Sequence, residues 1–316
     1  MKKDYNSLIK KETKAFDDQA RKRFLNGLLP DVRNLGKNKF FYNNPYREQE
    51  IYDIQWGPRI KDVIRCLKSV KAKNVLEIGC GAGHLALEVA RNNFNTVGVD
   101  LSPTSIKIAK NYKKRIEKKE GNLKLRYQVM DINKEKIDFR FDAIIFFRSL
   151  HHMPFPKKLF KKINTMTKKK SSLIICEPVR KNFSDLSTIF AAVLRYSLET
   201  WEPYAKKFPK KYQKNTIKKM ISNINSEYRY ITNSKKKVQS PYDNSIDNYR
   251  TIIGLLKRNY SIKEIKFYDA FIDKLIGGLR GNKRLAIAKF LKEFDNYLIK
   301  NNILKGSTLF LHTIKK

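Results

Sequence analysis

Residues 76–84 read LEIGCGAGH, three glycines within five positions directly behind a short apolar run. A turn of this kind brings backbone N–H groups close to a bound nucleotide, because glycine carries no Cβ and accepts left-handed conformations. Gly79, Gly81 and Gly83 spell GxGxG, whereas the dinucleotide fingerprint GxGxxG needs its third glycine at position 84, which is His84. That departure turns the reading away from a nicotinamide oxidoreductase.

Outward from this turn, residues 74–185 alternate short apolar runs with longer amphipathic stretches, the rhythm of a parallel α/β sheet. Strands are expected at 74–79, 95–100, 123–130, 141–147 and 171–177. Helices are expected in GHLALEVARNN, PTSIKIAKNYKKRIEKK and PKKLFKKINTMTKK. The pattern resumes late, with a helix in IDNYRTIIGLLKRN, a strand in YSIKEIKFYDAF, a helix near 283–299 and a final strand TLFLHTI. Apolar residues at Leu186, Ile189, Phe190, Val193, Leu194, Leu198 and Trp201 mark an additional helix over 183–201. The division expected is a helical and lid segment at 1–70, a nucleotide-binding core at 71–180, a helical cap insertion at 181–245 and a completion of the core sheet at 246–316.

Carboxylates stand where such a core would use them. Glu77 lies at the end of the first strand, and Asp100 closes the second strand 21 residues after Gly79. A carboxylate there accepts hydrogen bonds from both hydroxyls of an adenosine ribose. Asp131, ending the third strand, is placed to accept from an adenine amine, with Leu101 and Ile132 offering apolar surface to the ring. The competing reading, stronger for Asp131 than for Asp100, is that these groups cap turns or helices.

VLEIGCGAGHLALEVA, VGVDLSP, VMDI, FDAIIFFRSLHHM and LIICEP occur in the order and spacing of the class I S-adenosylmethionine-dependent methyltransferases, and the chain resembles that family over roughly 70–180 plus the last two strands. The resemblance implies an open, doubly wound seven-stranded sheet with an antiparallel last strand. It implies that Glu77, Gly79, Gly81 and Gly83 cradle the methionine part of S-adenosylmethionine, with Cys80, Leu101 and Arg148 also among the cofactor-binding residues. Asp100 would take the ribose, and Asp131 with Ile132 the adenine.

His151 and His152 follow the fourth strand at the rim where ligands of open sheets collect. One of them is placed to act as a base if the acceptor must lose a proton; the alternative is that the LHH turn shapes the loop. Glu177, closing the fifth strand, either touches the acceptor or makes a structural hydrogen bond. NNPY at 43–46 reads as a turn, since it precedes the glycine loop. Cys176 is followed by Glu177, which does not support a cysteine nucleophile. Tyr42, Tyr46, Tyr52 and Trp56 fall where a lid would cover the cofactor, either offering ring faces to the sulfonium or simply packing.

Composition bounds the rest. With 316 residues, 41% hydrophobic, the chain can bury a large core. No apolar run is long enough to span a bilayer and the first residues are charged, so a cytoplasmic protein is expected. Cys66, Cys80 and Cys176 are far apart in sequence and have no ligand-spaced partner, so no metal is expected. A net charge of +38 reflects either a lysine-rich composition or an anionic partner, whether nucleic acid or the surface of an anionic membrane. The favoured acceptor is a small or lipid-like molecule under the helical cap. RNA is the alternative, supported by charge and by the basic-aromatic stretch at 201–220, and a non-catalytic scaffold is a third.

Overall fold

The computed structural model describes residues 2–39, 44–197, 215–229, 240, 242, 246, 248–273 and 275–316. Tyr42, Leu198, Trp201 and most of the basic-aromatic stretch lie outside the described residues.

The chain opens with a long helix, α1 (Lys2–Leu25). Asn44 then caps a single 3-10 turn at Pro45–Arg47, so the described residues of NNPY, Asn44 to Tyr46, form a turn, as expected. Two short helices follow, α2 (Gln49–Gln55) and α3 (Gly57–Ser69). The core runs β1 (Asn74–Ile78), α4 (His84–Arg91), β2 (Asn95–Asp100), α5 (Pro103–Glu120), β3 (Leu125–Val129), β4 (Phe141–Phe147), α6 (Pro156–Thr165) and β5 (Thr167–Pro178). Helices α7 (Asp185–Ser197) and α8 (Thr216–Arg229) come next, and α9 (Tyr249–Lys257), β6 (Tyr260–Tyr268), α10 (Arg284–Lys300) and β7 (Thr308–Lys315) complete the chain.

Seven strands form one sheet in the order β3-β2-β1-β4-β5-β7-β6. The first five are parallel, and β7 runs antiparallel to both β5 and β6. Each expected strand is present to within a few residues, except that β6 stops at Tyr268 instead of continuing to Phe271. Alternation along the strands sends Leu76, Ile78, Ile144 and Phe146 to the face covered by α6 and α9. Val75, Ala143, Ile145 and Ile174 go to the face covered by α3 and α4. Each fully buried aliphatic or aromatic side chain in these layers contributes about 1.5–3 kcal/mol. Local signals agree with the layers: Ser102 caps α5 by accepting from the Ser105 backbone N–H at 3.0 Å, Pro103 opens it, and Gly121 ends it.

A second core sits beside the sheet. Phe183, Ala191, Ala192 and Ile224 from the cap pack with Ile51 of α2, with Phe271, Leu275 and Leu279, and with Leu291 and Leu298 of α10. Residues 270–273 and 275–279 therefore leave the sheet to fill this core, which is why β6 ends early. The late helix α10 joins this core, packing on α2, on Phe190 of the cap and on the end of β6.

Candidate functional site

The strand order reverses between β1 and β4, and in an open α/β sheet the crevice beyond the carboxyl ends at that point is the ligand site. A cavity of about 380 Å³ opens there. Its floor is made by the loops that follow β1, β2, β3 and β4, and the inner stripe of α1 roofs it with Ile9, Glu12, Phe16, Gln19, Ala20 and Arg23.

The glycine loop is shaped by sterics. Gly79, Gly81 and Gly83 all have positive φ, at 74°, 55° and 92°. A Cβ on Gly79 would lie 2.4 Å from Cβ of Ser149, and one on Gly83 would lie 2.4 Å from the Tyr127 hydroxyl. At Gly81 nothing lies within 4 Å, which leaves its backbone open above the loop. Gly79, Cys80 and Gly81 face the cavity, whereas Gly83 lies behind the wall, holding the start of α4 against Tyr127.

Asp100 sits under this loop, its Oδ2 accepting from the Gly81 N–H and its Oδ1 from the Ser102 N–H, both at 2.8 Å. Each oxygen keeps a further lone pair for a ligand hydroxyl. Burial holds the carboxyl above its usual range. Glu77 also lines the cavity; one oxygen takes the Ala86 backbone N–H, and Oε2 is buried without a hydrogen-bond partner. Desolvation pushes its carboxyl up to about 8. A buried acceptor of this kind suits a ligand ammonium.

Leu101, Asp131, Ile132 and Arg148 also line the cavity. The Asp131 carboxylate accepts from the Tyr5 hydroxyl of α1, at 3.0 Å to each oxygen. Two further contacts tie α1 to the floor: Asp17 accepts from the Ser102 hydroxyl and from the Thr104 N–H, both at hydrogen-bonding distance. The lid segment expected at 1–70 did not single out α1 as the roof, because its inner stripe includes Glu12 and Arg23 and so lacks a purely apolar face. The spacing of Ile9, Glu12, Phe16, Ala20 and Arg23, three or four residues apart, was the available signal.

The aromatic stretch packs against protein side chains, the second of its two readings. Tyr46, Tyr52 and Trp56 line the cavity, but the cations stacked on Trp56 belong to the protein: Arg59 lies 4.4 Å and Arg148 4.9 Å from its ring centroid. Tyr46 packs edge-on against both Tyr52 and His84. His84 also lines the cavity, and burial lowers its pKa to about 4, keeping the ring neutral. The sequence had used His84 only to exclude a dinucleotide.

At the rim, the two histidines each meet a carboxylate. His151 Nδ1 lies 2.6 Å from Glu177 Oε2. Glu177 is fully buried and its Oε1 accepts from the backbone N–H groups of Ser149 and Leu150, at 2.8 and 2.7 Å. It lies behind the cavity wall, so it reaches a ligand only through His151. His152 Nδ1 lies 3.1 Å from Glu12 Oε1 of α1, and also near Ser240 and the Tyr242 carbonyl. The ring centroids are 4.0 Å apart. With Nδ1–H donated to Glu177, Nε2 of His151 carries the lone pair. Arg148, just before them, has φ 57°, a left-handed conformation unusual for arginine that marks a constrained site.

Residues 69–236 match the family described as a methyltransferase domain, more than half of the chain. The chain belongs to this family, that of the class I S-adenosylmethionine-dependent methyltransferases. The cavity fits the family's cofactor by its open glycine loop, its orphaned Glu77 oxygen and its two acceptor carboxylates. Among curated relatives, the Ubiquinone biosynthesis O-methyltransferase of Coxiella burnetii is 32% identical over 132 residues, 41% of this chain and 54% of that one. The protein of the same name from Pelagibacter ubique is 27% identical over 262 residues, 83% of this chain and 99% of that one. The chain thus spans about half the length of the first relative and nearly all of the second. Magnesium protoporphyrin IX methyltransferase from Synechocystis PCC 6803, solved with bound SAH, is 13% identical over 96% of this chain and 98% of that one, with a TM-score of 0.50, a likeness of fold.

Proposed function

We propose that this protein is an S-adenosylmethionine-dependent methyltransferase that methylates a hydroxyl of a small, largely apolar acceptor. The observation that carries the reading is the buried Glu177–His151 pair on the cavity wall. A base is needed only where the acceptor must shed a proton, which is the case for a hydroxyl. The relatives' printed name, an O-methyltransferase of ubiquinone biosynthesis, supports a ring hydroxyl as the acceptor group.

When bound, S-adenosylmethionine supplies a methyl group on a sulfonium that is already a good leaving group. Asp100 would hold the ribose hydroxyls, Asp131 and Ile132 the adenine side, and Glu77 with the Gly79–Gly81 backbone the methionine tail. Glu177 orients His151 and stabilises its charged form, and His151 Nε2 takes the acceptor proton. Helix α1 excludes water by closing the roof, and holding the acceptor in line supplies much of the remaining rate. No helix among the described residues is long and apolar enough to cross a membrane. We place the enzyme in the cytoplasm, with a lipid-like acceptor drawn from a membrane surface as the variant that its charge and apolar cap allow.

The test is transfer of a labelled methyl from S-adenosylmethionine to a panel of phenols and catechols. His151→Asn should lower kcat by about 10²-fold with little change in cofactor affinity. Unchanged turnover in both His151→Asn and His152→Asn would overturn the base. RNA is the second reading, favoured by a groove along the outer edge of β3 that is lined by Lys107, Lys110, Lys114, Arg126 and Lys136 and by no carboxylate. Transfer to RNA with none to small acceptors would establish it.

A further inference from the structure

Away from the cavity, three side chains with metal-ligand chemistry converge from three elements. Sγ of Cys66 in α3, a carboxylate oxygen of Glu264 in β6 and a ring nitrogen of His312 in β7 all lie within 4.8 Å of one another. We propose that these residues form a site for a divalent ion of zinc type, a structural clasp between α3 and the antiparallel edge of the sheet.

The scaffold is built for the convergence. Glu264 and His312 are direct partners across the β6–β7 ladder, and the register shifts between Ile262 and Glu264. A bulge of this kind re-aims the side chain that follows it. His312 shares a face with Phe310, which packs in the same layer as Val63, Cys66 and Leu67 of α3. Cys66 is fully buried and its thiol is free.

His312 supplies the observation that asks for a ligand. It is 5% exposed, stands directly after the apolar Leu309, Phe310 and Leu311, and its Nε2 is buried with no hydrogen-bond partner. An orphaned buried nitrogen of this kind calls for a partner. A thiolate, an imidazole and a carboxylate make a donor set that zinc accepts in four-coordinate geometry, with water in the fourth position. Tetrahedral donors sit about 3.5 Å apart, so each group moves by roughly 1 Å on binding. Arg65 now pairs with Glu264 at 2.6 Å, but it also pairs with Asp62 at 3.1 Å and its side chain is half exposed, so it can release Glu264 and keep Asp62. Along β7, His312 lies four residues, about 13 Å, from Thr308, the partner of Pro178 at the carboxyl end of β5, and none of the three ligands lines the cavity. The clasp therefore acts on stability and not on methyl transfer.

The test uses the full chain, stripped with a chelator, without S-adenosylmethionine or acceptor. One equivalent of Co²⁺ should produce a near-ultraviolet thiolate-to-cobalt charge-transfer band that zinc displaces, and zinc at about a hundredfold its Kd should raise Tm by roughly 4 °C. Cys66→Ser should abolish the band. Glu264→Gln, at a part-exposed position that leaves the fold intact, should weaken cobalt binding at least tenfold. No thiolate band in the wild type, a band that survives Cys66→Ser, or an affinity unchanged by Glu264→Gln would each overturn the proposal.

Discussion

At the scale of single residues, the site is made of groups whose burial is compensated in different ways. Asp100 is compensated by two backbone donors, and Asp100→Ala should weaken S-adenosylmethionine binding by about tenfold or more in calorimetry. Glu77 is not compensated on one oxygen, and this has a pH consequence. Its folded-state pKa of about 8 lies above the ordinary carboxylate value, so the folded protein holds the proton that the unfolded chain releases. The associated stability is present below about pH 4.5 and is lost as the pH rises through 8. Apo-protein melting should therefore fall between pH 5 and 8 more steeply than in Glu77→Gln, and saturating cofactor should flatten the difference; parallel profiles would refute this. Gly83 is a steric requirement of another kind, since its φ of 92° and the nearby Tyr127 hydroxyl leave no room for a methyl. Gly83→Ala should cost about 1–3 kcal/mol in denaturant unfolding. Glycine spacing, Asp100 and the histidine pair could all be read from sequence because they fall at fixed offsets from strand ends. That Glu177 meets His151, and that Glu12 meets His152, could not, because these pairs join residues 26 and 140 positions apart.

At the scale of elements, α1 and the cap carry the behaviour that the core alone would lack. Helix α1 is held on the floor by Tyr5, Glu12 and Asp17, polar contacts worth about 1 kcal/mol each. Tyr5→Phe should thus raise the cofactor dissociation rate severalfold in stopped-flow measurements while leaving Tm nearly unchanged. Limited proteolysis within α1 should slow when cofactor is present. The cap depends instead on buried apolar area. Phe271 is fully buried among Phe190 and Phe294, and Phe271→Ala should destabilise the protein by about 3–5 kcal/mol. The strand and helix rhythm of the core was legible because each element carries its own periodicity. The roof and the α10–cap contact were not, because a helix with a polar inner stripe and a helix far along the chain give no local sign of what they pack against.

For the whole molecule, the net charge of +38 acts mainly through long-range fields. The β3 edge groove gathers lysines and is lined by no carboxylate. Retention on a polyanion column should consequently fall steeply with salt, and methyl transfer to a small acceptor should change little over the same range. The sequence by itself determined the sheet, the family and its cofactor class, and marked carboxylates that line the cavity, because strand alternation, glycine conformation and carboxylates at strand ends are local or evenly spaced properties. Only the tertiary structure decided that α1 roofs the cavity, that Trp56 holds the protein's own arginines, that Glu177 orients His151, and that Cys66, Glu264 and His312 meet. Each of these depends on which faces are buried against each other, and burial is set by the packing of the entire chain rather than by any one segment.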